Sequence, residues 1–350
     1  MEQIKDFLGT VWPYALAIVA FLFLIVIHEF GHFIAAKILG VRVNEFAVGF
    51  GPKIFRKKGK ETVYSLRLIP LGGFCAMEGE DDESTDERAF CKKPAWRRFL
   101  IVVMGATFNI IFGIILVGVT LIPQKMYTTT TVAQFTETAV SNASGGLMVG
   151  DKIIEVEGRK IYTTYDLSYN FSAVEDGNLD LKVVRGGKKV DLKDVTFKTQ
   201  KVEGYNVISV DFWVKGEKQN LKSFLSNTAK TSFSYSRIVV FSLVDMIGGR
   251  YKVSDISGPV GVTDAISEAA KTSALDLLGI VALITINLGI MNLLPIPALD
   301  GGRLLFILVE MLLGRPLPQK FEKWVHAIGL IILLIFMALV TFKDIWVRIF

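Results

Sequence analysis

Four stretches of the chain, residues 7–27, 99–124, 277–299 and 324–342, carry no Asp, Glu, Lys or Arg, and the last is broken only by His326 near its start. Each is long enough as a helix to cross roughly 30 Å of hydrocarbon, so the pattern predicts four membrane spans. A secretory signal fits the first stretch poorly. Signals have a shorter apolar core behind a basic leading end, whereas Lys5 here is flanked by Glu2 and Asp6. Between the second and third stretches the period changes. Over residues 128–215, apolar side chains alternate with polar ones, as in Lys152-Ile153-Ile154-Glu155-Val156 and Leu181-Lys182-Val183-Val184. Gly-rich turns such as Glu157-Gly158 and Arg185-Gly186-Gly187 separate these runs, which predicts a small β-rich domain. Residues 219–250 have the mixed apolar and Ser/Lys periodicity of a helix lying across a surface. Gly258-Pro259-Val260-Gly261 then interrupts the chain before another helical run. The expected fold is a polytopic α-helical membrane protein with four transmembrane helices and an inserted β-rich domain. Its divisions are 1–124 (spans 1 and 2), 125–218 (the insert), 219–275 (a helical segment) and 276–350 (spans 3 and 4). No internal repeat stands out.

Composition agrees: 51% of the 350 residues are hydrophobic and 25 are Phe, and the mean hydropathy is +0.45, which excludes a disordered chain. The formal charge of +5 does not call for a nucleic-acid partner, because membrane topology accounts for the basic residues. They outnumber the acidic ones over residues 35–98, and Arg303, Arg315, Lys320 and Lys323 cluster between the third and fourth stretches. By the positive-inside rule both connections are cytoplasmic, which puts the termini and residues 125–275 on the far side. Cys75 and Cys91 fall in the first of these connections, where reduced thiols are expected.

With only three histidines and two cysteines, a metal site has few candidate ligands. His28-Glu29-Phe30-Gly31-His32 places two imidazoles one helical turn apart with a carboxylate between them. That spacing lets both rings hold one Zn²⁺ while Glu29 reaches the water it activates. The motif directly follows the first apolar stretch. Ionisable groups at such depth are costly unless paired, metal-bound or lining a wet cavity. A third ligand must come from elsewhere, and Asp300 and His326 are the candidates. The first and third stretches both run inward, so His28 and Asp300 lie at comparable depth, which favours Asp300. His326, beside Trp324 at the start of the fourth stretch, fits an interfacial residue. Pro295 and Pro297 cannot continue a helix, and unwound backbone at this depth is tolerated only against protein or water, so the break is a place to receive substrate. Asn287 and Asn292 can bind an extended peptide backbone. Helix-to-helix hydrogen bonding is an equal alternative for Asn287, and Asn109 in the second stretch is read as bundle packing. A zinc transporter would need ligands along a path rather than at one depth, and an inactive membrane scaffold would not need the intact motif.

Taken together, these residues resemble the site-2 protease family of intramembrane zinc metalloproteases, in the bacterial branch that contains the regulator of sigma-E protease. The ordered motifs are the His28–His32 run, Gly49-Phe50-Gly51-Pro52, Leu71-Gly72-Gly73-Phe74, Glu78-Gly79-Glu80-Asp81, Gly258-Pro259-Val260-Gly261, and residues 292–302, from Asn292 through Asp300 to Gly302. The resemblance implies that His28, His32 and Asp300 bind zinc and that Glu29 is the general base. It implies that Asn287, Asn292, Pro295, Gly49, Phe50 and Gly51 serve substrate binding. It further implies a β-hairpin over residues 41–75 that dips into the membrane beside the active site. The insert resembles a single PDZ domain, with Gly145-Gly146-Leu147-Met148-Val149-Gly150-Asp151-Lys152-Ile153-Ile154 as its glycine-leucine turn and following strand, where many relatives carry two. PDZ domains add a peptide strand to a sheet edge and often hold a terminal carboxylate, so peptide C-termini are the expected ligands of this one. The implied substrates are single-pass membrane proteins of the anti-sigma-factor type, remnant signal peptides, and in some bacteria a pheromone precursor. The implied location is the bacterial inner membrane, with the PDZ domain outside and the metal site towards the cytoplasm.

Overall fold

The computed structural model describes residues 2–349 apart from 81, 173, 175, 203, 253 and 254, and side chains over 12–347 with 71 and 319 also excepted. Asp81 of the acidic motif therefore lies outside the described residues. The chain divides into two compact units, Met1–Leu116 with Ser254–Phe350, and Val117–Val253.

In the first unit, α1 (Glu2–Ile38) carries the first apolar stretch. It ends at Gly40, whose φ of 74° is the left-handed conformation that glycine takes without steric cost. Beyond it Val41 N–H reaches back to Ala36 O at 2.8 Å. β1 (Val43–Lys58) and β2 (Val63–Met77) then pair antiparallel, with an irregular register. The pairs Val43↔Met77 through Val48↔Gly73 and Glu45↔Val63 through Val48↔Leu66 place the start of β1 between the two halves of β2. Glu45 ties the bend together. Burial pushes its carboxyl up, but hydrogen bonds from Ser65, Lys53 and Arg67 override this and hold it at about 2. That cross-link is present above the ordinary carboxylate range and is lost only as pH falls towards about 2.

α2 (Ala95–Leu121) carries the second apolar stretch. It meets α1 at backbone contact, since a Cβ on Gly31 would lie 2.8 Å from the carbonyl carbon of Met104.

The second unit is the predicted β-rich domain. β3 (Met126–Phe135), β4 (Lys152–Val156), β5 (Arg159–Lys160), α3 (Thr164–Phe171), β6 (Asn178–Arg185), β7 (Lys188–Thr196), β8 (Thr199–Val202), β9 (Tyr205–Ile208) and β10 (Phe212–Lys218) follow in order. Its main sheet runs β10-β3-β4-β6-β7 with β5 on β4, and β8 and β9 pair separately. Period-two burial builds the core: Leu179, Leu181 and Val183 of β6 meet Ile153 and Val156 of β4, with Leu147, Leu167 and Phe171 packed against them. α4 (Leu221–Ile247) begins at Asn220, whose side chain accepts from Ser223 N. It lies across this unit, where the buried Asp245 accepts from Arg159 and, at 2.7 Å, from Tyr169 Oη.

The chain returns to the first unit through α5 (Pro259–Thr272), which has Pro259 at its first turn. The N–H groups of Gly258 and Gly261 donate to Asp344 Oδ2 at 2.8 and 3.1 Å, so the Gly-Pro-Val-Gly motif is a helix start capped by a carboxylate from the last helix, α8 (Gln319–Ile349). The third apolar stretch departs from its expected form. α6 (Ala274–Leu293) stops six residues short of Leu299, and a helix not expected from the hydropathy pattern, α7 (Asp300–Leu313), begins at Asp300. Pro295 and Pro297 account for the break, because neither can donate a helical hydrogen bond. Among the described residues, four helices are long and apolar enough to cross a membrane: Trp12–Ile38, Ala95–Leu121, Ala274–Leu293 and Lys320–Val347. Cys75 and Cys91 are free thiols.

Within the second unit, Asp151 is fully buried. It accepts from Arg185 Nε at 2.8 Å and Nη2 at 2.7 Å, and from Met148 N at 2.8 Å. Arg185 keeps 28% of its side chain exposed and can hydrate once Asp151 is lost, so removing the carboxylate is expected to cost about 1–3 kcal/mol in broken buried hydrogen bonds. Asp151→Ala in the full chain is therefore expected to lower protection of the β4 and β6 amides against hydrogen exchange by that amount. Unchanged protection would show that Arg185 and Asp151 contribute nothing to the unit's stability.

Candidate metal centre

His28 and His32 occupy one side of α1, a turn apart, and are about nine-tenths buried. Opposite them α2 presents Gly105. A Cβ there would collide with the His32 ring and lie 2.9 Å from His28 Nε2, so both imidazoles fill the space that the absent side chain leaves. Asp300 enters from α7. Its Oδ2 lies 2.9 Å from His28 Nε2 and 3.2 Å from His32 Nε2, and the two ring nitrogens are 3.2 Å apart. One ligand atom from each residue lies within 4.8 Å of the others. Two imidazole nitrogens and a carboxylate oxygen are a donor set that suits a hydrolytic zinc site with a position left for water. The convergence of three electron-rich atoms in a buried place fits a divalent cation. His32 Nδ1 donates to Ile101 O at 3.0 Å, which leaves its Nε2 lone pair bare for a metal.

The short connector before Asp300 sets its position. Ile296 N donates to Leu294 O at 2.7 Å and Leu299 N to Ile296 O at 3.2 Å. Gly301 and Gly302 let this connector fold back on the start of α7, since a Cβ on Gly302 would meet Ile296 O at 2.6 Å. Ala298 takes a φ of 76°, unusual for a residue with a side chain, and its N–H donates to His326 Nδ1 at 3.2 Å. Nearby, a Cβ on Gly329 would press on Pro297. His326 thus braces the connector that carries Asp300 and stands apart from the three-residue cluster.

Glu29 lines a cavity of about 410 Å³ with His32, Asp300, Phe74, Cys75, Ala76, Met77, Glu80, Val102 and Arg303. Its Oε2 accepts from Cys75 N–H at 3.0 Å, so the last part of β2 runs beside the carboxylate. Arg303 donates to Glu80 at the same cavity. The other residues assigned to substrate are not among those that line this cavity. Gly49 and Gly51 have φ of 85° and 82° in the bend of β1. Phe50 between them stacks on Phe74 with ring centres 6.2 Å apart, and Phe74 reaches the cavity. Asn292 donates to Leu288 O at 3.0 Å within its own helix, Asn287 is exposed on α6, and Pro295 is exposed in the connector.

Sequence reading missed one residue. Asn109, taken as packing, is fully buried, and its carboxamide nitrogen lies 3.2 Å from His28 Nδ1. Its backbone oxygen accepts from Thr285 Oγ1 at 3.2 Å, tying α2 to α6. The signal was its spacing, four residues after Gly105 and so on the same side of α2.

The sequence pattern of peptidase family M50 matches residues 16–336. A Fusobacterium nucleatum protein carried under a provisional zinc metalloprotease name is 34% identical over 346 residues, covering 95% of this chain and 98% of its own. The regulator of sigma-W protease RasP of Bacillus subtilis is 29% identical over 410 residues, covering 94% and 97%. The zinc metalloprotease RasP of Geobacillus kaustophilus is 29% identical over 408 residues, covering 94% and 96%.

The two candidates for third ligand are separable by experiment. Asp300→Asn is expected to lose zinc during desalting that leaves wild-type protein loaded, while His326→Ala keeps it, both read by elemental analysis. The opposite pattern would make His326 the ligand.

Proposed function

The chain belongs to peptidase family M50, the site-2 protease type, and on that premise we propose that it cuts single-pass membrane proteins within the bilayer at the His28, His32 and Asp300 centre. It is a zinc metalloprotease and a multi-pass membrane protein. The observation that carries the reading is the meeting of Asp300 with both histidines, residues far apart in sequence, beside a cavity lined by Glu29.

A transmembrane helix resists hydrolysis because its amides are bonded internally and water is scarce around it. Cutting it requires opening a stretch of that helix and admitting water. In this reading His28, His32 and Asp300 hold the zinc, which when bound polarises a carbonyl and makes water nucleophilic near neutral pH. Glu29 takes the proton from that water and returns it to the leaving amine. The last part of β2, Gly73 to Met77, pairs with the unwound substrate as an added strand. Phe50, set by Gly49 and Gly51 against Phe74, shapes the approach. Asn292, with Asn287 and Pro295 nearby in chain, holds the opposite side of the peptide at the broken helix.

The substrates are anti-sigma factors or remnant signal peptides, the first suggested by the RasP name. The membrane is the bacterial inner membrane, with residues 35–98 cytoplasmic and the β-rich insert outside. That insert acts as one PDZ domain that rejects substrates whose outer portion has not been trimmed by an earlier protease.

Two experiments test this. Purified Glu29→Gln is expected to retain zinc while cleavage of a model membrane helix falls below detection; turnover equal to wild type would remove Glu29 from the chemistry. In cells, deletion of residues 128–215 is expected to permit cleavage of untrimmed substrate, and continued rejection would place the filter outside the insert.

A further inference from the structure

We propose that Asn109 is the positioning residue that selects the metal-binding tautomer of His28, a proposal that rests on the zinc site proposed for this chain. The two ligand histidines are not prepared alike. His32 Nδ1 faces the carbonyl of Ile101 at 3.0 Å, and a carbonyl only accepts. That fixes the proton of His32 on Nδ1 and leaves Nε2 bare. His28 Nδ1 faces a carboxamide, which offers a donor on one atom and an acceptor on the other.

As the side chains stand, Asn109 Nδ2 is 3.2 Å from His28 Nδ1, and His28 Nε2 is 2.9 Å from Asp300 Oδ2. This is the arrangement of the tautomer with its proton on Nε2, where Asn109 donates and His28 donates onward to Asp300. An Nε2 that carries a proton has no lone pair for a cation. Holding zinc through Nε2 requires the proton on Nδ1, and then His28 needs an acceptor. The acceptor is in place: Asn109 Oδ1 is buried, and among the described residues it has no hydrogen-bond partner. Rotating the carboxamide by half a turn brings it to His28 Nδ1. The rotation exchanges one unmet amide atom for the other, so the carboxamide itself is near balance and the imidazole decides its orientation.

The site around Asn109 supports a single position. The residue is fully buried on α2, its backbone oxygen accepts from Thr285, and Gly105 one turn earlier lies against both rings. Asn109 touches neither the cavity nor a position open to substrate, so its influence on the reaction runs through His28. Partners of this kind typically change metal affinity by 10–100-fold when removed.

The experiment measures the dissociation constant of zinc alone, by competition with a chelator, for full-length protein in detergent. Asn109→Leu removes both donor and acceptor at nearly constant volume. Asn109→Asp keeps the acceptor and loses the donor. Thr285→Val removes the neighbouring tie without touching His28. The expected result is a 10–100-fold weakening for Asn109→Leu, with Asn109→Asp and Thr285→Val within about threefold of wild type. Where Asn109→Leu fails to fold, Asn109→Asp carries the test. Zinc affinity lost in Asn109→Asp, or unchanged in a folded Asn109→Leu, overturns the assignment. Wild-type protein that binds no zinc would instead overturn the metal reading beneath it.

Discussion

The controlling constraint is that ionisable and polar groups inside an apolar helix bundle persist only when each is matched. The histidines, the carboxylates and the amide beside them show how far it is met. His28 and His32 meet Asp300, His32 also meets the Ile101 carbonyl, His28 meets Asn109, and Glu29 meets the amide of Cys75. The partners come from α1, α2, α7 and β2, so the match depends on four elements that lie far apart in the chain. The centre is therefore a product of tertiary packing, and nothing local to the histidine motif can create it.

Close approach of the helices makes that packing possible. In lipid-like surroundings hydrophobic driving force between helices is weak, and small residues that let backbones touch take its place. Gly31 and Gly105 bring α1 against α2. Gly289 of α6 does the same against α2, where a Cβ would meet Ala106 O at 2.9 Å, and Gly113 admits Ile286 from the other side. Gly301 and Gly302 fold the connector onto α7, and Gly329 receives Pro297 from α8. A side chain at Gly31, Gly301 or Gly302 would meet backbone of the elements that bring His28, His32 and Asp300 together. Hydrogen-bond distances of 2.9–3.2 Å between the ligand atoms leave little room for those elements to shift.

The helices that carry the apolar stretches were legible because hydrophobic length is a strong signal, and the insert was legible from its period-two alternation. The histidine pair stood out because two imidazoles one turn apart, deep in an apolar helix, are costly there unless paired, metal-bound or lining a wet cavity. Asp300 was reached from depth along the third stretch, although that stretch is not one helix: hydropathy runs on through Leu294–Leu299 after the backbone has left α6. A hydropathy scan records which side chains avoid water and is blind to whether the backbone under them is helical. Asn109 was overlooked for a related reason. A buried amide in a span has the same composition signal whether it bonds to a neighbouring backbone or to a ligand ring, and only the approach of α1 at Gly105 distinguishes the two. The role of His326 was hidden by the strained turn at Ala298, since no periodicity reports a left-handed alanine.

Glu29 and the strand beside it are not independent parts. Along the edge from Gly73 to Met77, the Cys75 amide donates to Glu29 Oε2 at 3.0 Å and the Met77 amide to Glu80 Oε2 at 3.4 Å, while the facing residues of β1 pair on the other edge. On the proposed reading a substrate strand docks where those amides point, and its carbonyls need the same donors. Docking then takes Cys75 N–H from Glu29. That would leave the Glu29 oxygen without the amide it holds in this structure. Glu80 released from Met77 still has Arg303 beside it, so the second displacement strands no buried charge. Binding of an extended peptide and release of Glu29 from β2 would thus be one event.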